Sequence, residues 1–154
     1  MSAAESFVRR AVQLRINRKK RAMSTSRTRK ETYEDGIEMR KAVLGAAHVE
    51  RSLNNVTEFS RPIQELVTEY CWGAVWTREG IDRKTRSLLN LAMLTTLNRS
   101  HELAVHVRGA VTNGCSDEEI QEVLIQAAVY VGVPAALESF RVAEATLKDV
   151  RANV

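Results

Sequence analysis

The apolar residues of this 154-residue chain recur at intervals of three and four, and nowhere do they alternate with polar residues over the length of a strand. Such spacing puts apolar side chains on one side of a helix, whereas a half-buried strand requires a period of two. Only two prolines and seven glycines interrupt the pattern. We therefore predict an all-α fold, a compact helical bundle whose short connections make neighbouring helices antiparallel.

Capping residues mark the predicted helix boundaries. Gly45 ends the first periodic stretch, and Asp82 is a predicted N-cap for a central helix over residues 84–98. Because that helix is apolar nearly all round, we expect it to be buried. Ser116, followed three residues later by Glu119, indicates a capping box at the start of a later helix.

Charge divides the chain into an arm and a body. Residues 1–30 carry ten Lys and Arg and one acid, whereas the remaining residues carry thirteen Lys and Arg and eighteen acids. We predict a basic N-terminal arm over 1–30, partly helical over 4–21, and a helical domain over 31–154. Three interpretations of the arm stay open: it docks on a neighbouring subunit or is solvated, it is a mitochondrial-type presequence, or it binds nucleic acid or an anionic membrane.

The two cysteines, Cys71 and Cys115, lie far apart and form no CxxC motif. Free thiols in a reducing compartment are the expectation. No apolar run reaches the roughly 18 residues of a membrane helix, and no apolar signal-peptide core is visible. We expect a cytoplasmic protein, or a mitochondrial one if the arm is a presequence, and for the body neither membrane nor nucleic-acid partners.

The stretch HELAVHVRGA concentrates the residues that could carry chemistry. Glu102 and His106 are four apart and share a helix face, whereas His101 points elsewhere. A helical zinc site needs two ligands on one face and a third nearby, so we predict no metal. Spacing leaves two interpretations: a solvated acid beside a hydrogen-bonded core histidine, or an acid–base pair in which the carboxylate orients the imidazole.

The segments TRSLLNLAMLTTLNR, ELAVHVRGA and VYVGVPAA together resemble the carboxymuconolactone decarboxylase family, close to its 4-carboxymuconolactone decarboxylase branch, over residues 32–146. The resemblance implies a helical subunit of the alkylhydroperoxidase-like type in a ring-shaped homo-oligomer, often a hexamer. It also implies a cofactor-free decarboxylase of protocatechuate catabolism that converts 4-carboxymuconolactone to the β-ketoadipate enol-lactone and CO2. The related alkylhydroperoxidase-like proteins carry a CxxC dithiol, and this chain has none. Reduction of peroxides through such a dithiol is therefore excluded.

The resemblance and the chemistry suggest roles for particular residues. We predict that His106 donates the proton to carbon with Glu102 as its partner, or that the two exchange roles. A substrate with two carboxylates calls for guanidinium groups, and the candidates are Arg83, Arg86, Arg99 and Arg108. Arg86 is favoured because it borders the apolar run. Trp72 and Trp76 are predicted either to wall the pocket or to pack in the core.

Three positions depart from the pattern of the family. Ala74 stands where an acid is usual, Glu79 where proline is usual, and Val131 where cysteine is usual. The loss of the acid puts the substrate in question. The alternatives are a divergent member that acts as an isomerase, a cyclase or a decarboxylase on another lactone or enone, or a non-enzymatic helical oligomer whose basic arm binds anions.

Overall fold

The computed structural model of the chain describes residues 27–152, and these residues form helices joined by short turns, with no strand among them. In chain order the elements are α1 (Arg29–Leu44), α2 (Ala46–Asn54), α3 (Arg61–Leu66), a π-helical segment (Val67–Trp76), α4 (Arg83–Thr96), α5 (Ser100–Thr112), α6 (Asp117–Val131) and α7 (Val133–Ala152). The all-α prediction is confirmed for this part of the chain. The helix predicted over residues 4–21 lies outside the described residues.

Contacts divide the chain between Glu31 and Thr32, and the larger unit, which begins at Thr32, holds the helical bundle. Within it, α4 packs against α5 and α6, and α7 packs against the same two helices. Their shared core consists of large side chains that are almost inaccessible: Leu91, Leu103, Val107, Ile120 and Leu124. Burial of each such side chain contributes about 1.5–3 kcal/mol, so α4–α7 form the stable frame.

Two of the predicted caps are confirmed by side-chain hydrogen bonds, those at Asp82 and Ser116. The Asp82 carboxylate accepts a hydrogen bond of 2.7 Å from the backbone N–H of Thr85 and so begins α4. Ser116 and Glu119 exchange side-chain and backbone hydrogen bonds at the start of α6. Both motifs satisfy backbone N–H groups at the start of a helix that have no hydrogen-bond partner within it. Each motif joins residues three positions apart, so a short stretch of sequence is enough to predict it.

The prediction that the central helix is buried nearly all round is wrong. Leu89 and Met93, at successive turns of α4, and Leu97, directly after its last residue, are 50–65% exposed. The physical reason is that α5 and α6 cover one side of α4 and leave this apolar stripe open in a single chain. Across residues 27–152, no helix combines the length and the apolar character of a membrane span.

Helix α1 meets the π-helical segment by direct backbone contact. A Cβ atom added to Gly36 would lie 2.1 Å from the carbonyl oxygen of Thr68, and one added to Gly73 would lie 2.0 Å from that of Thr32. No side chain fits either gap. The close approach fixes the segment against α1, and a π-helix, with its i→i+5 hydrogen bonds, is a rare element that is frequent at functional sites.

Candidate functional site

Two tryptophans and a histidine form an aromatic cluster where the π-helical segment meets α5. The ring centroids of Trp72 and Trp76 are 4.9 Å apart, and both side chains are buried. The imidazole of His106 lies 6.3 Å from the Trp72 ring, with the two planes only 2° apart, and 6.4 Å from the Trp76 ring. Val43 of α1 packs behind the tryptophans. The fold therefore brings His106 of α5 beside two tryptophans that lie 34 and 30 positions earlier in the chain.

Asn90 of α4 is the polar partner of this imidazole, and sequence reasoning missed it. Its side-chain nitrogen lies 3.4 Å from Nδ1 of His106. The sequence signal was present but weak, because Asn90 is the single amide within the apolar run LLNLAML. An asparagine in such a run gains stability only if it finds a buried partner. The contact fixes the orientation of the His106 ring from the side of α4.

Two opposing effects set the protonation of His106. Burial lowers the pKa of the imidazole from its ordinary value of 6.5, and the negative charge of Glu102 opposes that shift. Glu102 itself is exposed, one turn before His106 on α5. Within residues 27–152, the hydrogen bond described for the ring goes to Asn90 and not to Glu102. Glu102 therefore acts on the imidazole through its charge.

The four predicted arginines differ in burial and in their hydrogen-bond partners. Arg86 is half-buried on α4, one turn before Asn90 and on the same face. Its guanidinium donates a 3.0 Å hydrogen bond to the carbonyl oxygen of Arg78, and its buried Nε has no hydrogen-bond partner in the described part of the chain. Arg83 and Arg99 are exposed, and Arg108 is paired with an aspartate of α7.

Ala74 and the two cysteines lie outside the aromatic cluster or at its edge. Ala74 is exposed, and its methyl side chain carries neither a charge nor a hydrogen-bonding group. Cys115 is buried just beyond α5, and Cys71 is half-buried against the tryptophans. No three side chains of the His, Cys, Asp and Glu types converge within residues 27–152 to form a metal site.

The grooves on the surface of residues 27–152 include two of about 490 Å³ each, and neither of these is lined by His106. One runs between α6 and α7 over Leu124 and Phe140, and the other lies between α4 and α6 over Leu88 and Ala127. The aromatic cluster therefore lies outside both of these grooves.

Comparison with known proteins adds an independent line of evidence. Residues 61–145 match the carboxymuconolactone decarboxylase family, which confirms the resemblance seen in the sequence. The chain is 47% identical over 118 residues to the nitrosuccinic acid decarboxylase of Metarhizium robertsii, which covers 77% of this chain and 82% of that protein. It is 39% identical over 118 residues to the 4-carboxymuconolactone decarboxylase of Acinetobacter baylyi, covering 77% of this chain and 88% of that protein. The relatives share loss of a carboxyl group as their named reaction.

Proposed function

This chain belongs to the carboxymuconolactone decarboxylase family and is a carboxy-lyase, and from that premise we propose that it decarboxylates a small dicarboxylic acid without a cofactor at the aromatic cluster. The observation that carries the proposal is the half-buried His106 ring, stacked beside Trp72 with its Nδ1 against Asn90. An imidazole held in one orientation and partly shielded from water is suited to delivering a proton to carbon.

The chemistry requires a substrate that carries its own electron acceptor. When the C–C bond to the carboxylate breaks, CO2 leaves and the electron pair stays on carbon. A nitro group on that carbon accepts the pair as a nitronate, and the double bond of an unsaturated lactone accepts it as a dienolate. A proton then adds to carbon. Because the acceptor belongs to the substrate, the protein supplies only binding, orientation and the proton.

The side chains around the ring suit those tasks. We propose His106 as the proton donor, with the charge of Glu102 holding part of the imidazole population in the protonated form. Arg86 is the proposed carboxylate anchor, because its Nε lacks a hydrogen-bond partner in the described part of the chain and a guanidinium binds carboxylates in a fork. Trp72 and Trp76 form an apolar wall that lowers the local dielectric and strengthens both interactions.

Nitrosuccinic acid is the substrate we favour, and 4-carboxymuconolactone is the second candidate. The greater identity to the nitrosuccinic acid decarboxylase, 47% against 39%, supports this order. The alanine at position 74, where the lactone branch is expected to carry an acid, agrees with a different substrate. Loss of CO2 from the nitro-bearing carbon of nitrosuccinate, followed by protonation, would give 3-nitropropanoate.

We also propose that the enzyme is a homo-oligomer, as the family resemblance implies. The exposed stripe of Leu89, Met93 and Leu97 supports this, since exposed apolar stripes of this kind usually mark an interface. A ring, with a hexamer as its expected size, would cover the stripe on every copy.

The test is turnover of each candidate substrate, followed by CO2 release and product analysis. Nitrosuccinate should yield CO2 and 3-nitropropanoate, and His106→Gln should abolish this while Thr112→Val, on the exposed side of the same helix, should not. Turnover of 4-carboxymuconolactone alone would overturn the preferred substrate and support the second candidate. No turnover of either acid, or full activity in His106→Gln, would refute the proposal.

A further inference from the structure

Arg40, in α1, is a buried cation that contacts three other elements. Only 7% of the residue is exposed. Its guanidinium donates hydrogen bonds to the side-chain oxygens of Ser52 on α2 (3.1 Å), Gln64 on α3 (3.1 Å) and Thr68 in the π-helical segment (3.4 Å). These three acceptors are neutral, and the ion pairs described for residues 27–152 do not include Arg40. The arginine therefore joins α1 to every helix between it and α4.

The burial of this charge is explained by geometry better than by stability. A buried charge without a counter-charge is costly, and burial lowers the pKa of the Arg40 guanidinium. The carboxyl end of α2, where Ser52 lies, offsets part of the cost because the helix dipole is negative there. An apolar side chain of similar volume is often at least as stable in such a place. It could not hold three acceptors at fixed angles, as a planar guanidinium does.

One face of α1 lies along the π-helical segment. Gly36, Arg40 and Val43 are spaced four and three positions apart, so they share this face. Gly36 approaches the carbonyl oxygen of Thr68 so closely that no side chain fits, and Arg40 donates to the hydroxyl of the same threonine. Val43 packs against the tryptophans of the aromatic cluster. Arg40 thus holds Thr68, and Trp72 follows Thr68 by about one helical turn.

We propose that Arg40 is a positioning residue for the candidate active site, because it fixes the start of the π-helical segment and thereby the angle at which the two tryptophans meet the imidazole. A π-helix is rare, and contacts from other elements must hold its wide turns. If one wide turn relaxed into an α-helix, Trp76 would leave its stack on Trp72 and its place beside His106. The effect of Arg40 on turnover rests on the proposed function, but its effect on the rings does not.

Two signals report the arrangement of the rings without any substrate. The chain has two tryptophans, so the indole band in near-ultraviolet circular dichroism comes from the stacked pair alone. An NMR titration gives the pKa of His106, which burial lowers and the charge of Glu102 raises, so a shift in a variant at Arg40 reports a change in geometry.

Arg40→Met removes all three hydrogen bonds and keeps an unbranched apolar stem. The indole band should weaken, and the pKa of His106 should rise toward 6.5 as the ring becomes more exposed. With the proposed substrate, kcat should fall about 10–100-fold because the reacting groups are displaced, and KM should change by less than about threefold because the anchor Arg86 remains.

Two variants of the acceptors separate positioning from a general loss of stability. Thr68→Val removes the hydrogen bond to the π-helical segment and leaves the one to α2, whereas Ser52→Ala does the reverse. Each removes one hydrogen bond from the same guanidinium, so both should lower the midpoint of urea unfolding. Only Thr68→Val should weaken the indole band, raise the pKa of His106 and lower kcat.

The proposal is overturned if Arg40→Met folds with an unchanged indole band and an unchanged His106 pKa, or if kcat stays unchanged although these signals move. It is also overturned if Thr68→Val and Ser52→Ala move the signals equally or not at all, and this pair decides if Arg40→Met does not fold. Absence of turnover in the unmodified chain would refute the proposed function, and the two ring signals would still decide whether Arg40 positions the rings.

Discussion

The substitution Asn90→Asp tests the link between Asn90 and the protonation of His106. It replaces a neutral amide 3.4 Å from the imidazole Nδ1 by a carboxylate of nearly the same shape. At that separation and an effective dielectric constant of about 20, the attraction between the carboxylate and a protonated ring is about 5 kcal/mol at most. Solvent and charge delocalisation reduce this, and we expect the pKa of His106 to rise by about 1–3 units.

Two measurements follow the effect. An NMR titration reports the pKa of the His106 ring directly and needs no substrate. In a pH–rate profile, a protonated donor loses activity as pH rises through its pKa, so the falling limb should move upward by the same 1–3 units in the variant. The direction of the shift is the informative result. Burial holds the pKa of His106 below 6.5 in the unmodified chain, and the carboxylate in Asn90→Asp should raise it.

Asn98→Asp provides the matched control. This residue adopts a φ of 53°, which aspartate tolerates, and it is exposed beyond the end of α4. It lies eight positions after Asn90, a separation of about 12 Å at the rise of a helix, which exceeds the screening length of about 10 Å at 0.1 M salt. If the His106 pKa does not move in Asn90→Asp, or moves equally in both variants, the contact described at Nδ1 has no electrostatic consequence and the reasoning fails.

Three further predictions concern stability, each measured by urea unfolding. Gly36→Ala forces a Cβ to 2.1 Å from a backbone oxygen and should lower the free energy of unfolding by about 1–3 kcal/mol or more, whereas Gly80→Ala, with open space around it, should be nearly neutral. Leu91→Ala should lower it by about 2–5 kcal/mol and Leu89→Ala, half-exposed in a single chain, by clearly less; equal losses would place both side chains in a core. Because the folded state depresses the pKa of His106 below 6.5, the unfolded chain binds more protons, so stability should be full above that pH and fall as pH drops through it. His106→Gln should flatten this slope only in part, since a second histidine also has a lowered pKa, and an unchanged slope would contradict the assignment.

Local sequence predicted the all-α class and the starts of α4 and α6, because the interactions that begin these two helices are local. It did not predict α2 or the π-helical segment. The cap at Asp82 and the capping box at Ser116 join residues three apart, so the chain records them in a short motif. The open side of α4 could not be predicted in the same way. An apolar run predicts that a helix is buried, but it does not indicate which neighbouring helices cover it.

The sequence predicted which residues belong to the candidate site, but it predicted only part of how they are arranged. His106, Trp72 and Trp76 were proposed separately, and the fold brings their rings together. The contact from Asn90 spans sixteen positions and joins two helices, so no spacing rule could supply it. The ion pair between Arg108 and Asp149 spans forty-one positions, so it too could not be predicted from local spacing.

The π-helical segment affects how the chain tolerates a change in its length. A π-helical turn holds one residue more than an α-helical turn, so removing a single exposed residue such as Ala74 would let one turn of Val67–Trp76 relax into an α-helix. The residues after the deletion would keep roughly their positions around the helix axis, because one wide turn becomes one ordinary turn. The same deletion in a regular α-helix such as α4 would turn every later residue by about 100°. A single deletion should thus be tolerated better in this segment than in the α-helices of the bundle.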